Sequence, residues 1–78
     1  MESLLELLIT ELTGEKPISV IRQESDGITT FKVTAPKAHM GILIGKGGRM
    51  ISAIRTLART RGAKENIKVN VELAESEL

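Results

Sequence analysis

The chain has 78 residues, of which 41% are hydrophobic and 27% are charged, a composition typical of one small globular domain. It contains no cysteine, so disulfides and thiolate metal sites are excluded, and this length leaves little room for a large enzyme cleft. Glu6 interrupts the first apolar stretch, and no apolar run approaches the length of a membrane-spanning helix. We therefore expect one soluble, cytoplasmic domain covering residues 1–78, without membrane association.

The net charge of +1 conceals a strong segregation of charge along the sequence. All ten acidic residues lie between positions 2 and 26 or between 65 and 77, so residues 27–64 contain none. This middle block counts +8, whereas the other three bases and ten acids sum to −7. The eight bases are Lys32, Lys37, Lys46, Arg49, Arg55, Arg59, Arg61 and Lys64. Such asymmetry indicates polyanion binding, although basic and acidic elements that pair within one fold produce the same pattern.

The first predicted element is an amphipathic helix. Its apolar stripe lies opposite Glu2 and Glu6, and Gly14 is placed to end it. The stripe consists of Leu4, Leu5, Leu8, Ile9 and Leu12. Leu7 falls outside it, so either the core-facing stripe is wider than usual or some apolar surface remains for a partner. We favour the wider stripe.

Two β-strands and a short helix are predicted next. Residues 18–24 and 28–34 are both rich in β-branched side chains, and Asp26-Gly27 between them is a strong hairpin signal. Pro36 then suits the first turn of a short helix that runs through His39 and Leu43 to a turn rich in glycine.

A longer helix and a final strand complete the chain. The apolar residues of the helix recur at spacings of three and four, and Gly62 is placed to end it. Arg61 and Lys64 are expected in the loop before the last strand, where they could flank a binding groove. These apolar residues are Met50, Ile51, Ile54, Leu57 and Ala58. From Ile67 to Leu73 apolar and polar side chains alternate, which predicts a strand with one buried face. Residues 74–78 are predicted to be a frayed acidic tail.

The order of these elements restricts the topology. Two consecutive helices between the second and third strands can serve as a right-handed crossover that joins those strands in parallel. The sequence therefore predicts an α+β fold of order α-β-β-α-α-β, with three helices on one face of a mixed three-stranded sheet.

The most informative segment is the glycine turn, Ile44-Gly45-Lys46-Gly47-Gly48-Arg49-Met50-Ile51. Glycine has no Cβ and tolerates positive φ, so this turn can present its backbone N–H groups to an anion beside the start of the following helix. A P-loop is excluded because Gly41 and Gly45 are separated by three residues, and Gly47 follows Lys46 where serine or threonine is needed. A dinucleotide-binding turn is excluded because Met50 stands where its third glycine is required.

With its flanking isoleucines this segment matches the pattern Ile-Gly-x-x-Gly-x-x-Ile at every position, and the chain at this point resembles the KH domain. The additional helix and strand that precede the core unit are similar to the type II arrangement. The short length resembles the small stand-alone bacterial KH proteins of the KhpA family, and the resemblance covers essentially the whole chain.

The resemblance implies a groove that holds about four nucleotides of single-stranded RNA against the Gly-x-x-Gly loop. The residues expected to bind RNA are Met40, Gly41, Ile44, Gly45, Lys46, Gly47, Gly48 and Arg49. Peripheral RNA contacts are expected from Lys37, Arg55, Arg61 and Lys64. Ile51 is expected in the core, and the final strand is expected to offer backbone groups to base edges. Arg55 and Arg59, one turn apart, form either an anion-binding pair or simply a solvated face, which we favour.

The resemblance also implies a homodimer and a pairing with a larger RNA-binding protein that carries its own KH domain. We expect weak, sequence-tolerant RNA binding by one copy, because Phe31 is the only aromatic residue that could stack on a base. No catalytic constellation is present, so we predict a protein that is not an enzyme and needs no cofactor. His39 stands alone, which argues against a metal site. The alternatives are a protein-interaction module with this fold and a binder of single-stranded DNA.

Overall fold

The computed structural model describes residues 1–76 of the chain. The elements in chain order are α1 (Glu2–Thr13), β1 (Ser19–Ser25), β2 (Ile28–Ala35), α2 (Lys37–Ile44), a 3₁₀ turn (Lys46–Gly48), α3 (Arg49–Lys64) and β3 (Lys68–Glu75). The predicted order α-β-β-α-α-β is confirmed, and the predicted strand starts lie within one residue of the observed ones. Within residues 1–76, no helix combines the length and the apolar character that crossing a membrane requires.

β2 is the central strand of the sheet. It pairs antiparallel with β1 across the turn at Asp26 and Gly27 and parallel with β3, so that Phe31 lies opposite Arg22 on one side and Val71 on the other. The parallel pair is possible because α2 and α3 carry the chain back to the end of the sheet at which β2 starts. The mixed three-stranded sheet is therefore the one predicted from the order of elements.

The core lies between one face of this sheet and the three helices. Along β2, alternate residues from Thr29 to Ala35 are buried, while Ile28 and Lys32 on the other face are exposed. The strict alternation predicted for the last strand is also confirmed, since Val69 and Val71 are buried between exposed or half-buried polar neighbours. The helices contribute Leu5, Ile9, Leu43, Ile51, Ile54 and Ala58 to the same core.

Two helical details differ from the sequence-based expectations. Gly62 does not end α3, because the helix continues to Lys64 and the chain reverses at Asn66, which adopts a positive φ of 58°. Arg61 and Lys64 consequently lie in the last turn of the helix and not in a loop. The wider core-facing stripe of the first helix is also wrong, since Leu7 is 58% exposed and points away from the core that Leu5 and Ile9 enter.

The predicted frayed tail is wrong at its start. β3 continues through Ala74 and Glu75, which pair with Thr34 and Ala35 of β2. The backbone N–H of Ser76 then donates to the carbonyl of Ala35 at 2.9 Å. Pairing with the full length of β2 extends the strand beyond the last apolar residue, because ladder hydrogen bonds need no particular side chain. The remainder of the predicted tail, residues 77–78, lies outside the described residues.

Candidate nucleic-acid interface

The loop between α2 and α3, residues 45–48, begins with a backbone conformation that only glycine adopts readily. Gly45 has φ 76° and ψ 174°, a region that costs other residues about 1–3 kcal/mol. Its N–H donates to the carbonyl of Gly41 at 2.9 Å and closes the last turn of α2, while the N–H of Gly48 donates back to the carbonyl of Gly45 at 3.2 Å. The loop is therefore a tight, internally bonded bend that joins two helices.

The loop has an inner side that is packed and an outer side that is open. A Cβ at Gly45 would lie 2.7 Å from the Cβ and 2.8 Å from the backbone nitrogen of Met50, so α2 and α3 approach too closely for any other residue. Gly47, at φ 64°, is exposed, and no atom lies within 4 Å of where its Cβ would stand. The outer rim consequently presents bare main chain to any molecule that approaches it.

Two cations flank this rim without internal partners. The side chains of Lys46 and Arg49 are exposed, and within residues 1–76 neither forms an ion pair or a hydrogen bond. The ion pairs of that part of the chain are Arg22–Glu24 at 2.7 Å and Arg61–Glu65 at 3.5 Å, and Nε2 of His39 lies 4.0 Å from a carboxylate oxygen of Glu15. α3 also directs the positive end of its dipole at the loop. The dipole and the two cations therefore act together to attract an anion.

An apolar wall adjoins the loop on α2. Ile44 is 39% exposed at the end of the helix, Gly41 is exposed with open space around it, and Met40 is half-buried against the core. These three residues are separated by one helical turn or less, so they share a surface next to the glycines. Ile51, in contrast, belongs to the core as predicted, with 8% exposure. The structure thus brings together the eight residues that the sequence indicated for RNA binding.

Arg55 occupies a position that sequence reasoning did not foresee. It is half-buried on α3, and its Nε donates to the carbonyl oxygen of Val71 in β3 at 3.1 Å. β3 is an edge strand whose Ser76 N–H donates to Ala35 of β2, so by the alternation of backbone groups the carbonyl of Val71 faces the open edge and would otherwise lack a backbone partner. The helical period would have placed Arg55 one turn after buried Ile51 and beside buried Ala58, but no sequence signal identifies a backbone acceptor.

The other predicted peripheral residues lie apart from the loop or have partners. Lys37 is exposed at the start of α2, at the far end of that helix from Gly45. Arg61 and Lys64 are about 18–22 Å along α3 from Arg49, and Arg61 pairs with Glu65. The structure therefore assembles the central residues of the predicted site and leaves these three cations at a distance.

Neither an aromatic side chain nor a cluster of metal ligands contributes to this surface among residues 1–76. Phe31 has no exposed surface, so the only aromatic side chain of the sequence is a core residue and is unavailable for stacking on a base. Among residues 1–76, no three His, Asp or Glu side chains cluster so as to hold a metal ion. Any nucleic acid bound here must be held by main chain, cations and aliphatic surface.

Comparisons with known proteins identify the family to which this fold belongs. The family model for the KH domain of KhpA and KhpB matches residues 2–73. The chain is 34% identical to the RNA-binding protein KhpA of Listeria monocytogenes over 76 residues, which are 96% of this chain and 100% of that protein. It is 36% identical to the RNA-binding protein KhpA of Chlamydia trachomatis over 77 residues, 96% of this chain and 97% of the relative.

A third relative, the RNA-binding protein KhpA of Bacillus subtilis, is 34% identical over 74 residues, 94% of this chain and 91% of the relative. Identity at this level extends over nearly the full length of each protein, and the α-β-β-α-α-β order with its mixed sheet is that of a type II KH domain. The chain therefore belongs to the KhpA/KhpB family of KH domains.

Proposed function

We propose that this protein binds single-stranded RNA in the groove beside the loop of residues 45–48. The observation that carries the proposal is the open main chain at Gly47, flanked by the side chains of Lys46 and Arg49, which have no partner among residues 1–76. Relatives that share about a third of the sequence over almost its whole length are named as RNA-binding proteins. We propose no catalytic step.

Each part of the groove has a separate task. The N–H groups of Gly48 and Arg49 donate to carbonyls within the loop, whereas those of Lys46 and Gly47 have no acceptor among residues 1–76 and suit a phosphate beside the start of α3. Lys46 and Arg49 add charge beside that phosphate. Bases of about four nucleotides then lie against the aliphatic surface of Met40, Gly41 and Ile44. Because the phosphate contacts carry no sequence information, we expect broad sequence tolerance.

Binding by one copy should be weak and moderately dependent on salt. With Phe31 in the core, the groove lacks the stacking that contributes about 1–3 kcal/mol per base in other single-strand binders. If roughly three or four phosphates are neutralised, log Kd should change with log salt concentration with a slope of about 2–3. A protein with these properties suits a role as an RNA chaperone or post-transcriptional regulator, in the cytoplasm.

We further propose that the protein acts as a homodimer and pairs with a larger KH-containing protein. A second groove raises avidity without any new contact in the first. Leu57 on α3 is 51% exposed and joins Leu7 among apolar side chains outside the groove that an oligomer could cover. Light scattering after size-exclusion chromatography would measure a mass of two chains if this is correct, and a mass of one chain would contradict it.

The test of RNA binding is a double substitution at the rim of the loop, Lys46→Asp with Gly47→Asp. Aspartate tolerates the left-handed backbone at position 47, so we expect circular dichroism to report an intact fold. The matched control is Lys46→Asn with Gly47→Asn, which has the same side-chain size but no negative charge. Binding to a short single-stranded RNA should be lost in the aspartate variant and retained in part in the asparagine variant.

The same measurements separate the alternatives. Unchanged RNA binding by the folded aspartate variant would contradict the proposed groove. An absence of RNA binding by the natural protein, with self-association intact, would favour a protein-interaction module. A DNA probe of the same base sequence, with deoxyuridine in place of thymidine, differs from the RNA only in the 2′-hydroxyl. Equally tight binding of that probe would favour a general single-strand binder.

A further inference from the structure

The first helix, α1, has apolar side chains on two sides. Leu5 and Ile9 are buried in the core, and Met1 and Leu12 pack against it. Leu5 and Leu7 stand about 200° apart around the helix axis, so they cannot both face the core. A surface helix usually has one apolar stripe, which its own domain covers. The exposed side of α1 at Leu7 is therefore an apolar surface that the fold does not use.

Two further leucines extend this exposed side. Leu4 precedes Leu7 by three residues and Leu8 by four, so the three side chains are neighbours on the helix surface. Leu4 and Leu8 are half-buried, yet within residues 1–76 neither belongs to the core cluster or to the side chains packed against it. We refer to Leu4, Leu7 and Leu8 as the leucine surface. It forms a ridge along two turns of α1, which is the form in which helices pack on one another.

The surroundings of the leucine surface are negatively charged. Glu11 lies one turn after Leu7 and Leu8, and Glu6 lies on the adjoining polar side of the helix. Both carboxylates are exposed, and within residues 1–76 neither forms an ion pair. Residues 1–15 contain no lysine or arginine. The charge beside the leucines is therefore uncompensated within α1.

This combination of apolar surface and negative charge excludes several occupants. RNA has the same sign of charge as α1, and helices that lie on membranes carry lysine or arginine on their polar face. Pairing α1 with α1 of a second copy would bring together two helices that each carry three carboxylates and no cationic side chain. Contact of α1 with the basic α3 of another copy would be head-to-tail and would leave a free surface at each end of the assembly.

We propose that the leucine surface of α1 binds a basic amphipathic helix of another protein. Apolar side chains of that helix, at spacings of three and four, pack on Leu4, Leu7 and Leu8, and its lysines or arginines face Glu6 and Glu11. This inference goes beyond RNA binding and does not depend on it. Because the carboxylates of α1 repel phosphates, one molecule holds RNA at the loop of residues 45–48 and a protein partner on α1.

The test uses two fluorescent helical peptides that share a face of leucines at spacings of three and four. The flanking positions are lysine in one peptide and glutamate in the other. Anisotropy titrations with the natural protein should show that the lysine peptide binds at least about fivefold more tightly than the glutamate peptide. Glu6→Lys combined with Glu11→Lys should reverse this preference, because the sign of the charge on α1 is then reversed.

The contribution of the leucines is tested by Leu7→Gln, which should weaken binding of the lysine peptide at least about fivefold. The matched control is Ile28→Gln. Ile28 is 43% exposed on the sheet and pairs in register with Lys68, so it is an apolar side chain beside a cation. This control should bind the lysine peptide within about twofold of the natural protein. Both variants should bind single-stranded RNA as the natural protein does.

A second measurement uses the natural protein alone, so it holds even if circular dichroism shows that a variant does not fold. In ¹H–¹⁵N NMR spectra, the lysine peptide should shift the amide resonances of residues 3–12 more than any others. Largest shifts at another acidic segment, such as the turn that contains Glu24 and Asp26, would overturn the inference. Equal binding of the two peptides, or unchanged binding by folded Leu7→Gln, would also overturn it.

The excluded occupants are outcomes of the same set of experiments. A mass of two chains in light scattering that falls to one chain in Leu7→Gln would show that a second copy covers the leucine surface. Co-sedimentation of the natural protein with anionic vesicles, lost in Leu7→Gln, would assign the surface to a membrane. Either result would overturn the inference and leave the proposed RNA binding intact, whereas an unchanged mass and an absence of vesicle binding would support it.

Discussion

Both ends of α3 carry a glycine and basic side chains, but these groups are exposed and unpaired at the start of the helix and packed or paired at its end. At the start, the loop is open at Gly47, and the side chains of Lys46 and Arg49 have no partner in residues 1–76. At the other end, Gly62 is buried against β3, and Arg61 pairs with Glu65. Glycine and positive charge near a helix terminus therefore do not identify a binding site by themselves. What distinguishes the first end is that the side chains of Lys46 and Arg49 have no partner in residues 1–76 and that the main chain at Gly47 is exposed.

The largest loss of stability should come from adding a side chain at Gly62, the buried glycine near the end of α3. A Cβ at Gly62 would lie 2.5 Å from Cγ2 of Val69 and 2.9 Å from the carbonyl oxygen of Ile67. Gly62→Val should therefore lower the free energy of unfolding by about 3 kcal/mol, measured by urea denaturation and circular dichroism. Ala63→Val, at the exposed neighbouring position, should cost less than about 1 kcal/mol. Equal losses in both variants would show that α3 does not pack tightly on β3 there.

A somewhat smaller loss of stability is expected from a side chain at Gly45, on the packed inner side of the loop. Gly45→Ala places a methyl group against the backbone of Met50 and forces alanine into an unfavourable conformation. It should lower the free energy of unfolding by about 2 kcal/mol in the same denaturation assay. Gly41→Ala is the control, because Gly41 lies in α2 with open space around it. That change should raise the free energy of unfolding by up to about 1 kcal/mol. A lower free energy of unfolding would contradict the open helical environment described for Gly41.

The unpaired Arg49 and the paired Arg61 should contribute differently to the salt dependence of RNA binding. If Arg49 contacts a phosphate, Arg49→Gln should reduce the slope of log Kd against log salt by about 0.7 for a single-stranded RNA. Arg61→Gln should leave the slope nearly unchanged, because that guanidinium is paired with Glu65 at the far end of α3. Anisotropy titrations at several salt concentrations would measure both slopes. Identical reductions would mean that the ligand runs along the whole of α3.

The smallest effect on stability is expected from removing the ion pair between Arg61 and Glu65. Arg61 and Glu65 are both at least half exposed and stand one turn apart, so Arg61→Gln should cost only about 0.3 kcal/mol of unfolding free energy at low salt. At about 1 M salt, where the screening length is roughly 3 Å, urea denaturation should find no difference from the natural protein. A loss that persists at high salt would indicate that Arg61 contributes packing in addition to charge.

Much of the architecture could be predicted because it depends on local periodicity. The spacing from Met50 to Ala58 and the alternation from Ile67 to Leu73 each identify a buried face without knowledge of what covers it. The glycine loop could also be predicted, since its conformation follows from the absence of Cβ atoms. Leu7 was misjudged because periodicity measures the width of an apolar stripe but not the width of the surface available to cover it.

By itself, the sequence determined the order of elements, the mixed sheet and the position of the glycine loop, because helical and strand periods and glycine conformations are properties of neighbouring residues. Only the tertiary structure decided that Gly62 belongs to a helix–strand contact, that β3 extends to Glu75, and that Arg55 is bonded to Val71. Each of these depends on a backbone group from a distant part of the chain. Every residue carries the same backbone donor and acceptor apart from proline, so no letter of the sequence reveals which ones will meet.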